Sequence, residues 1–287
     1  PTLLRRFIAN RITHARLHES TQQYAAIGFS PINRISTRQV GLLQAALRRR
    51  DPRTEVVLIN RYTEPRADAV ISNLEFNGRR VFALPLYPHF CHSTSASSLR
   101  DLDAAMFAKF GHMPPAITRI FSWWHHPAYE RFTAQALNER IATLNGPVTV
   151  LFSAHGIPMR YHERGDPYYH ETKGHFDRLV QRCTEAAGAR RGELAFHLAF
   201  QSRVGKMPWL GPYVTDAIPE LGKRGGTILV VPISFVSENI ETLYEMDITY
   251  RDLALRSGFR EFQRLKTPDA EPAFIECLVQ VLESHGL

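Results

Sequence analysis

Cysteine is scarce: Cys91, Cys183 and Cys277 are the three in 287 residues, far apart and never in a C-x-x-C pair. Such a set suggests neither a disulfide framework nor a thiolate zinc site, and it suits a reducing, cytoplasmic setting. Long apolar runs are lacking as well. The best of them, Thr227 to Val236, is interrupted by Pro232 and falls far short of the ~18 residues that a membrane span requires. The opening Thr2 to Ala9 has neither the apolar core nor the cleavage site of a secretory signal. Because residue 1 is Pro rather than Met, the chain is expected to lack an N-terminal piece. Glycine-rich signatures are missing too. No G-x-G occurs, and neither a G-x-x-x-x-G-K-[ST] phosphate loop nor a G-x-S-x-G nucleophile elbow is found. Three His-Glu dipeptides begin at His18, His162 and His170, but none has a second His four residues on, so the zincin pattern fails.

What is there is a globular composition, 44% hydrophobic and 22% charged, without internal repeats. The balance of 35 basic and 28 acidic residues gives a net charge of +7, which favours acidic or carboxylated partners. The basic clusters Arg5-Arg6, Arg48-Arg49-Arg50 and Arg190-Arg191 are short and scattered. They read as solvated helix faces, and nucleic acid is not an expected partner. Apolar strand-like runs alternate with amphipathic stretches, the pattern of parallel sheets covered by helices. Strands are expected at residues 55–60, 81–84, 116–122, 148–152, 194–200 and 227–231. Helices are expected at 36–50, 129–144 and 172–187, with a domain boundary between residues 122 and 147.

In open parallel sheets, ligands bind beyond the carboxyl ends of the strands. One such end delivers Ser153-Ala154-His155-Gly156-Ile157-Pro158, whose turn projects the imidazole of His155 into a cleft. Another delivers Ser237-Glu238-Asn239-Ile240-Glu241-Thr242-Leu243-Tyr244-Glu245. Ser237 is placed to cap a helix, with Glu238 in its first turn. Glu241 and Glu245 are four apart on one face, a like-charge pair with no Lys or Arg before Arg251. An imidazole facing carboxylates supplies N and O donors for a labile divalent metal or for proton transfer. Aromatics in loops, among them Phe29, Tyr87, Phe90, Trp124 and Trp209, supply material for a pocket around a large flat ligand.

These segments make the chain resemble the ferrochelatases. The resemblance rests on Ile27-Gly28-Phe29-Ser30-Pro31, Leu84-Pro85-Leu86-Tyr87-Pro88, Leu151 through Pro158, Gly165-Asp166-Pro167-Tyr168, Gln201-Ser202-Arg203-Val204-Gly205, Trp209-Leu210-Gly211-Pro212 and Val231 through Tyr250, in family order. It implies an α/β fold of two Rossmann-like lobes, each with a four-stranded parallel sheet flanked by helices, as in type II chelatases. The N-terminal lobe would be residues 1–122, lacking a first strand, with a C-terminal helix over 268–287 packing back on it. Residues 123–267 would form the second lobe. The implied activity is that of a lyase of haem biosynthesis, inserting ferrous iron into protoporphyrin IX or coproporphyrin III. His155 and Glu241 match the family's catalytic pair, and His155, Glu241 and Glu245 its metal residues. Ser30, His89 and Trp124 match positions lining the porphyrin pocket. Iron is then a substrate rather than a resident cofactor, and three cysteines cannot supply the four thiolates of a typical iron–sulfur cluster. The implied setting is cytoplasmic, as a monomer or homodimer with peripheral membrane contact. Two other readings fit the same residues: a chelatase for another metal, and a porphyrin- or haem-binding relative without catalysis. The second is suggested by Asn239 and Thr249, which stand where many family members have a histidine and a third acid.

Overall fold

The computed structural model describes residues 17–76, 79–112, 117–205 and 207–287. Two parallel sheets organise it. The first pairs β1 (Val81–Ala83) with β2 (Ile117–Arg119) in the register Val81 to Ile117. The Ser95–Phe110 helix connects them, and it stops at Gly111, whose φ of 70° is the left-handed conformation that glycine adopts freely. Helix Ile32–Arg48 turns Leu43, Ala46 and Leu47 inward. There they pack with Phe274, Leu278 and Leu282 of the C-terminal helix Pro272–Ser284 and with Trp123 and Tyr129.

The second sheet has the order β4-β3-β5-β6, all parallel. Its strands are β3 (Val148–His155), β4 (Leu194–Gln201), β5 (Thr227–Val231) and β6 (Glu261–Arg264). Side chains alternate across the central strand as the pleat requires. Val150, Phe152 and Ala154 join Leu137, Ile141, Leu179 and Cys183 from helices on one face. Leu151 joins Val214, Ile218, Met246 and Ala254 on the other. Covering both faces is what lets β3 and β5 be almost wholly apolar, and it makes the α/β, Rossmann-like architecture. The strands run in one direction, β3 and β4 three residues beyond β5, and their carboxyl edge presents the loops after His155, Gln201 and Val231.

Five of the expected strands form, within a few residues of their expected limits. Residues 55–60 do not join a ladder: Asn60 makes a single bridge to Arg66, and the Val56 N–H donates to Gln44 Oε1 at 3.0 Å. The apolar run favours extended backbone, but a strand also needs a neighbour, and among the described residues none lies beside it. The first sheet accordingly holds two strands among the described residues, not four. Strand β6 was not expected from sequence. Glu261-Phe262-Gln263-Arg264 is an edge strand with one apolar side chain, so it carries no hydrophobic run to reveal it.

Candidate active site

His155 is the last residue of β3, and its placement begins with the neighbouring glycine. A Cβ on Gly156 would stand 2.6 Å from the carbonyl oxygen of Gln201, so only glycine lets the two strand ends close as they do. The Gly156 N–H donates to that same oxygen at 3.0 Å. The His155 N–H donates to Ser234 Oγ at 3.3 Å, and Ser234 in turn shares a 2.7 Å hydrogen bond with the buried Tyr168 hydroxyl. The imidazole is thus carried by the sheet edge and by the loop after β5 at once.

Glu241 opens a ten-residue π-helix, Glu241–Tyr250. Its N–H is received by Asn239 Oδ1 at 2.8 Å, while Asn239 Nδ2 donates to the Ser237 carbonyl at 3.0 Å. Asn239, rather than the expected Ser237, therefore caps this turn. Asn is as good an N-cap as Ser, and here it lies closer to the first turn. The cap aims Glu241 at the sheet edge, where its Oε1 lies 3.1 Å from His155 Nδ1. The distance is that of an ion pair, although Nδ1 is not aligned for a hydrogen bond. Burial disfavours the imidazolium, but Glu241, and more weakly Glu245, outweigh it and raise the affinity of His155 for a proton above the ordinary histidine value.

Glu245 is held separately. Its Oε1 accepts from the Tyr250 hydroxyl at 2.5 Å and the Ser202 N–H at 3.2 Å, and its Oε2 accepts from Ser202 Oγ at 2.7 Å and Gln201 Nε2 at 3.4 Å. The third expected acid of the row, Glu238, faces elsewhere. Arg264 pairs with it at 2.9 Å and Thr242 Oγ1 donates to it at 2.5 Å. Although burial opposes ionisation, Arg264 holds the Glu238 carboxyl below its usual range. Among the described residues, no three His, Cys, Asp or Glu side chains come together as a ready-made ligand set. His155 and Glu241 are the donors brought together, with Glu245 a step beyond.

The other expected residues lie in different places. His89 is 2% exposed, sunk below the surface with its Nε2 3.1 Å from His175 Nδ1. Trp124 stacks beside it, with ring centres 6.5 Å apart, under the guanidinium of Arg178 and against the backbone of Gly174. His89 also meets the edge of Tyr168, so His89 and Trp124 form one layer behind the Tyr168–Ser234 support of His155. Ser30 stands at the start of the Ile32–Arg48 helix, its Oγ 3.4 Å from the Ile32 N–H. Phe29, Tyr87 and Phe121 are exposed aromatics. Sequence reasoning did not single out Ser202, Ser234, Tyr168 or Tyr250. The matched segments contain all four residues, but which hydroxyl reaches which carboxylate depends on strand register.

The chain matches known proteins along almost its whole length. The Ferrochelatase family model matches residues 1–286. The chain is 39% identical over 290 residues to the ferrochelatase of Synechococcus sp. (strain WH7803), covering 97% of this chain and 72% of that protein. It is 40% identical over 292 residues to that of Synechococcus sp. (strain JA-3-3Ab), covering 99% and 83%. To Ferrochelatase-2, chloroplastic, of Arabidopsis thaliana it is 38% identical over 288 residues, covering 98% of this chain and 56% of the relative. An α/β scaffold that carries an imidazole–carboxylate pair at its carboxyl edge, matched along almost its whole length, places this chain in the ferrochelatase family, the enzymes that insert ferrous iron into a porphyrin to form haem.

Proposed function

We propose that His155 and Glu241 act at the reacting atoms of iron insertion and that Glu245 is the next acid on the path of iron or protons. The observation that carries this is the 3.1 Å approach of Nδ1 to Oε1 at the carboxyl edge of the second sheet. Insertion exchanges two pyrrole N–H protons for one ferrous ion, so the site must accept protons while the porphyrin nitrogens receive the metal. With Nδ1 turned to Glu241, Nε2 is the nitrogen of His155 left for substrate. The carboxylate stabilises the imidazolium formed when that nitrogen takes a proton, the usual service of an acid behind a basic histidine. Glu241 and Glu245 offer oxygen donors that suit a hard divalent ion in transit.

Ser30, His89 and Trp124 are proposed to shape the porphyrin pocket, His89 from behind, since it is buried against Tyr168, and Trp124 beside it, half-buried and stacked on the His89 ring. The lobes are proposed as residues 1–122 with 268–287, and residues 123–267. Packing of the C-terminal helix on Ile32–Arg48 supports that division. The proposal includes no iron–sulfur cluster, because three buried cysteines are one thiolate short of four. Among the described residues no helix is long and apolar enough to cross a membrane. The net charge of +7 and the exposed Phe29, Tyr87 and Phe121 support peripheral contact with an anionic membrane, and a cytoplasmic monomer or homodimer is proposed with it.

The test is anaerobic insertion of ferrous iron into protoporphyrin and coproporphyrin, followed by absorbance. His155→Ala is expected to lower turnover by about 10²–10⁴-fold, the range for losing a general base, while porphyrin still binds. Turnover retained in that variant would overturn the assignment of His155. Parallel rates with cobalt and zinc rank the metals that the same site accepts.

A further inference from the structure

The π-helix brings together two side chains that an ordinary helix would separate. Residues five apart on an α-helix point about 140° away from each other, at 100° per residue. In a π-helix the backbone hydrogen bonds run i to i+5 and the turn is wider, so such residues swing round to the same side of the helix. Glu245 and Tyr250 are five apart, and the Tyr250 hydroxyl donates to Glu245 Oε1 at 2.5 Å. Tyr250 is 1% exposed, with its ring packed among Leu151, Ala199, Val230 and Met246, so the hydroxyl has little freedom to point elsewhere. The other oxygen, Oε2, is taken at 2.7 Å by Ser202 Oγ. Ser202 has φ of 61°, a left-handed conformation uncommon for serine, and it also gives its N–H to Glu245 at 3.2 Å. Oε1 is thereby held by the phenol at the end of the helix together with the Ser202 N–H, and Oε2 by the Ser202 hydroxyl at the end of β4.

We infer that Tyr250 is a positioning residue for iron insertion, acting through Glu245. By holding Oε1, it keeps Glu245 on the Ser202 side, so His155 has Glu241 as its close carboxylate partner and Glu245 stands as a separate station. The π-helix is the local geometry that makes this possible, because it aligns the acid with a phenol at the helix's own end. The inference rests on the proposed role of Glu245 and goes beyond it in saying what gives that acid its place.

The variant that isolates the hydroxyl is Tyr250→Phe, which keeps the ring in the core. It is expected to lower kcat by about 10–100-fold, the usual cost of losing an outer partner of a functional ligand, with the KM for porphyrin unchanged. In a cycle with Glu245→Gln, the double variant is expected to be no slower than Glu245→Gln alone, because the phenol then has no carboxylate to position. Ser202→Gly supplies a second approach that does not touch the core: glycine suits the left-handed backbone and keeps the N–H, and only the hydroxyl is lost. It is expected to lower kcat as well, and because this hydroxyl also lies 3.5 Å from Glu241 Oε1, additivity is read from Tyr250→Phe alone. If Glu245→Gln is impaired while Tyr250→Phe keeps wild-type kcat, the inference fails and the reading of Glu245 stands. If Glu245→Gln is fully active, both fail. Additive losses in the cycle would mean that Tyr250 acts by supporting the core, and would also overturn the inference.

Discussion

At His155 two influences compete on one ring: burial, which expels the charge, and the carboxylate of Glu241, which attracts it. The carboxylate wins, so the folded chain binds this proton more tightly than the unfolded chain does. The stability contributed by this pair is therefore complete below about pH 6.5, the unfolded histidine value, and is lost as pH rises through the higher folded value. With the side chain 37% exposed, solvent screens much of the effect, and its main consequence is for proton transfer. Glu241→Gln removes the partner and leaves the burial. The histidine pKa followed by NMR is expected to fall, and an unchanged titration would show that Glu241 does not govern His155. The sequence made both residues visible as candidates, since each leaves a strand at the same sheet edge. Their 3.1 Å approach was not visible, because it depends on the Asn239 cap and on the Ser234 support from a third segment.

At the scale of elements, the second sheet depends on close backbone approaches at its ends. Gly226, which leads into β5, has φ of 80°, and a Cβ there would meet the Pro147 carbonyl oxygen at 2.5 Å. Gly226→Ala thus imposes an unfavourable backbone conformation and a collision that no rotamer relieves. The expected loss is roughly 2–4 kcal/mol, read as a lower urea midpoint. A variant as stable as the parent would mean that the entry to β5 shifts freely. Strands β3 and β5 are legible because burial on both faces demands continuous apolar sequence. Edge strand β6 is polar, and residues 55–60 have the composition of a strand without its pairing. The π-helix likewise leaves no periodic signature in ten residues; its i to i+5 contact between Glu245 and Tyr250 marks it only after folding.

Across the whole molecule, the loop after β1 is bolted to the helix Tyr168–Ala187 and the turn before it. Asp166 is 2% exposed and accepts from the His92 N–H at 2.8 Å and the Tyr168 N–H at 3.0 Å, and the Phe90 N–H donates to Glu171 at 2.6 Å. Between these contacts lies the His89–His175 pair, both rings buried and both pushed by burial below the ordinary histidine value, His175 to about 3. The unfolded chain protonates these rings first. Their contribution is therefore full above about pH 6.5 and is lost as pH falls from there toward about 3. Replacing both by apolar side chains, as in the double variant H89L/H175L, removes the buried donors and acceptors together, a change that is close to neutral at pH 7. Its urea midpoint is expected to decline less than that of the parent between pH 6.5 and 4. Equal declines in the two proteins would place the acid sensitivity elsewhere.

Chain-local information sufficed for the α/β class, for the strands buried on both faces, and for the His155, Glu241 and Glu245 candidates, because hydrophobic period, turn chemistry and motif order are written along the chain. Tertiary structure alone decided which candidates meet. It joined Glu241 to His155, sent Glu245 to Ser202 and Tyr250, tied Glu238 to Arg264, and sank His89 beneath the surface beside His175. Each of those outcomes is set by strand register, a helix cap or the pitch of one helix. These relate residues from five to 86 positions apart, and their energies appear only once the sheet has brought the segments together.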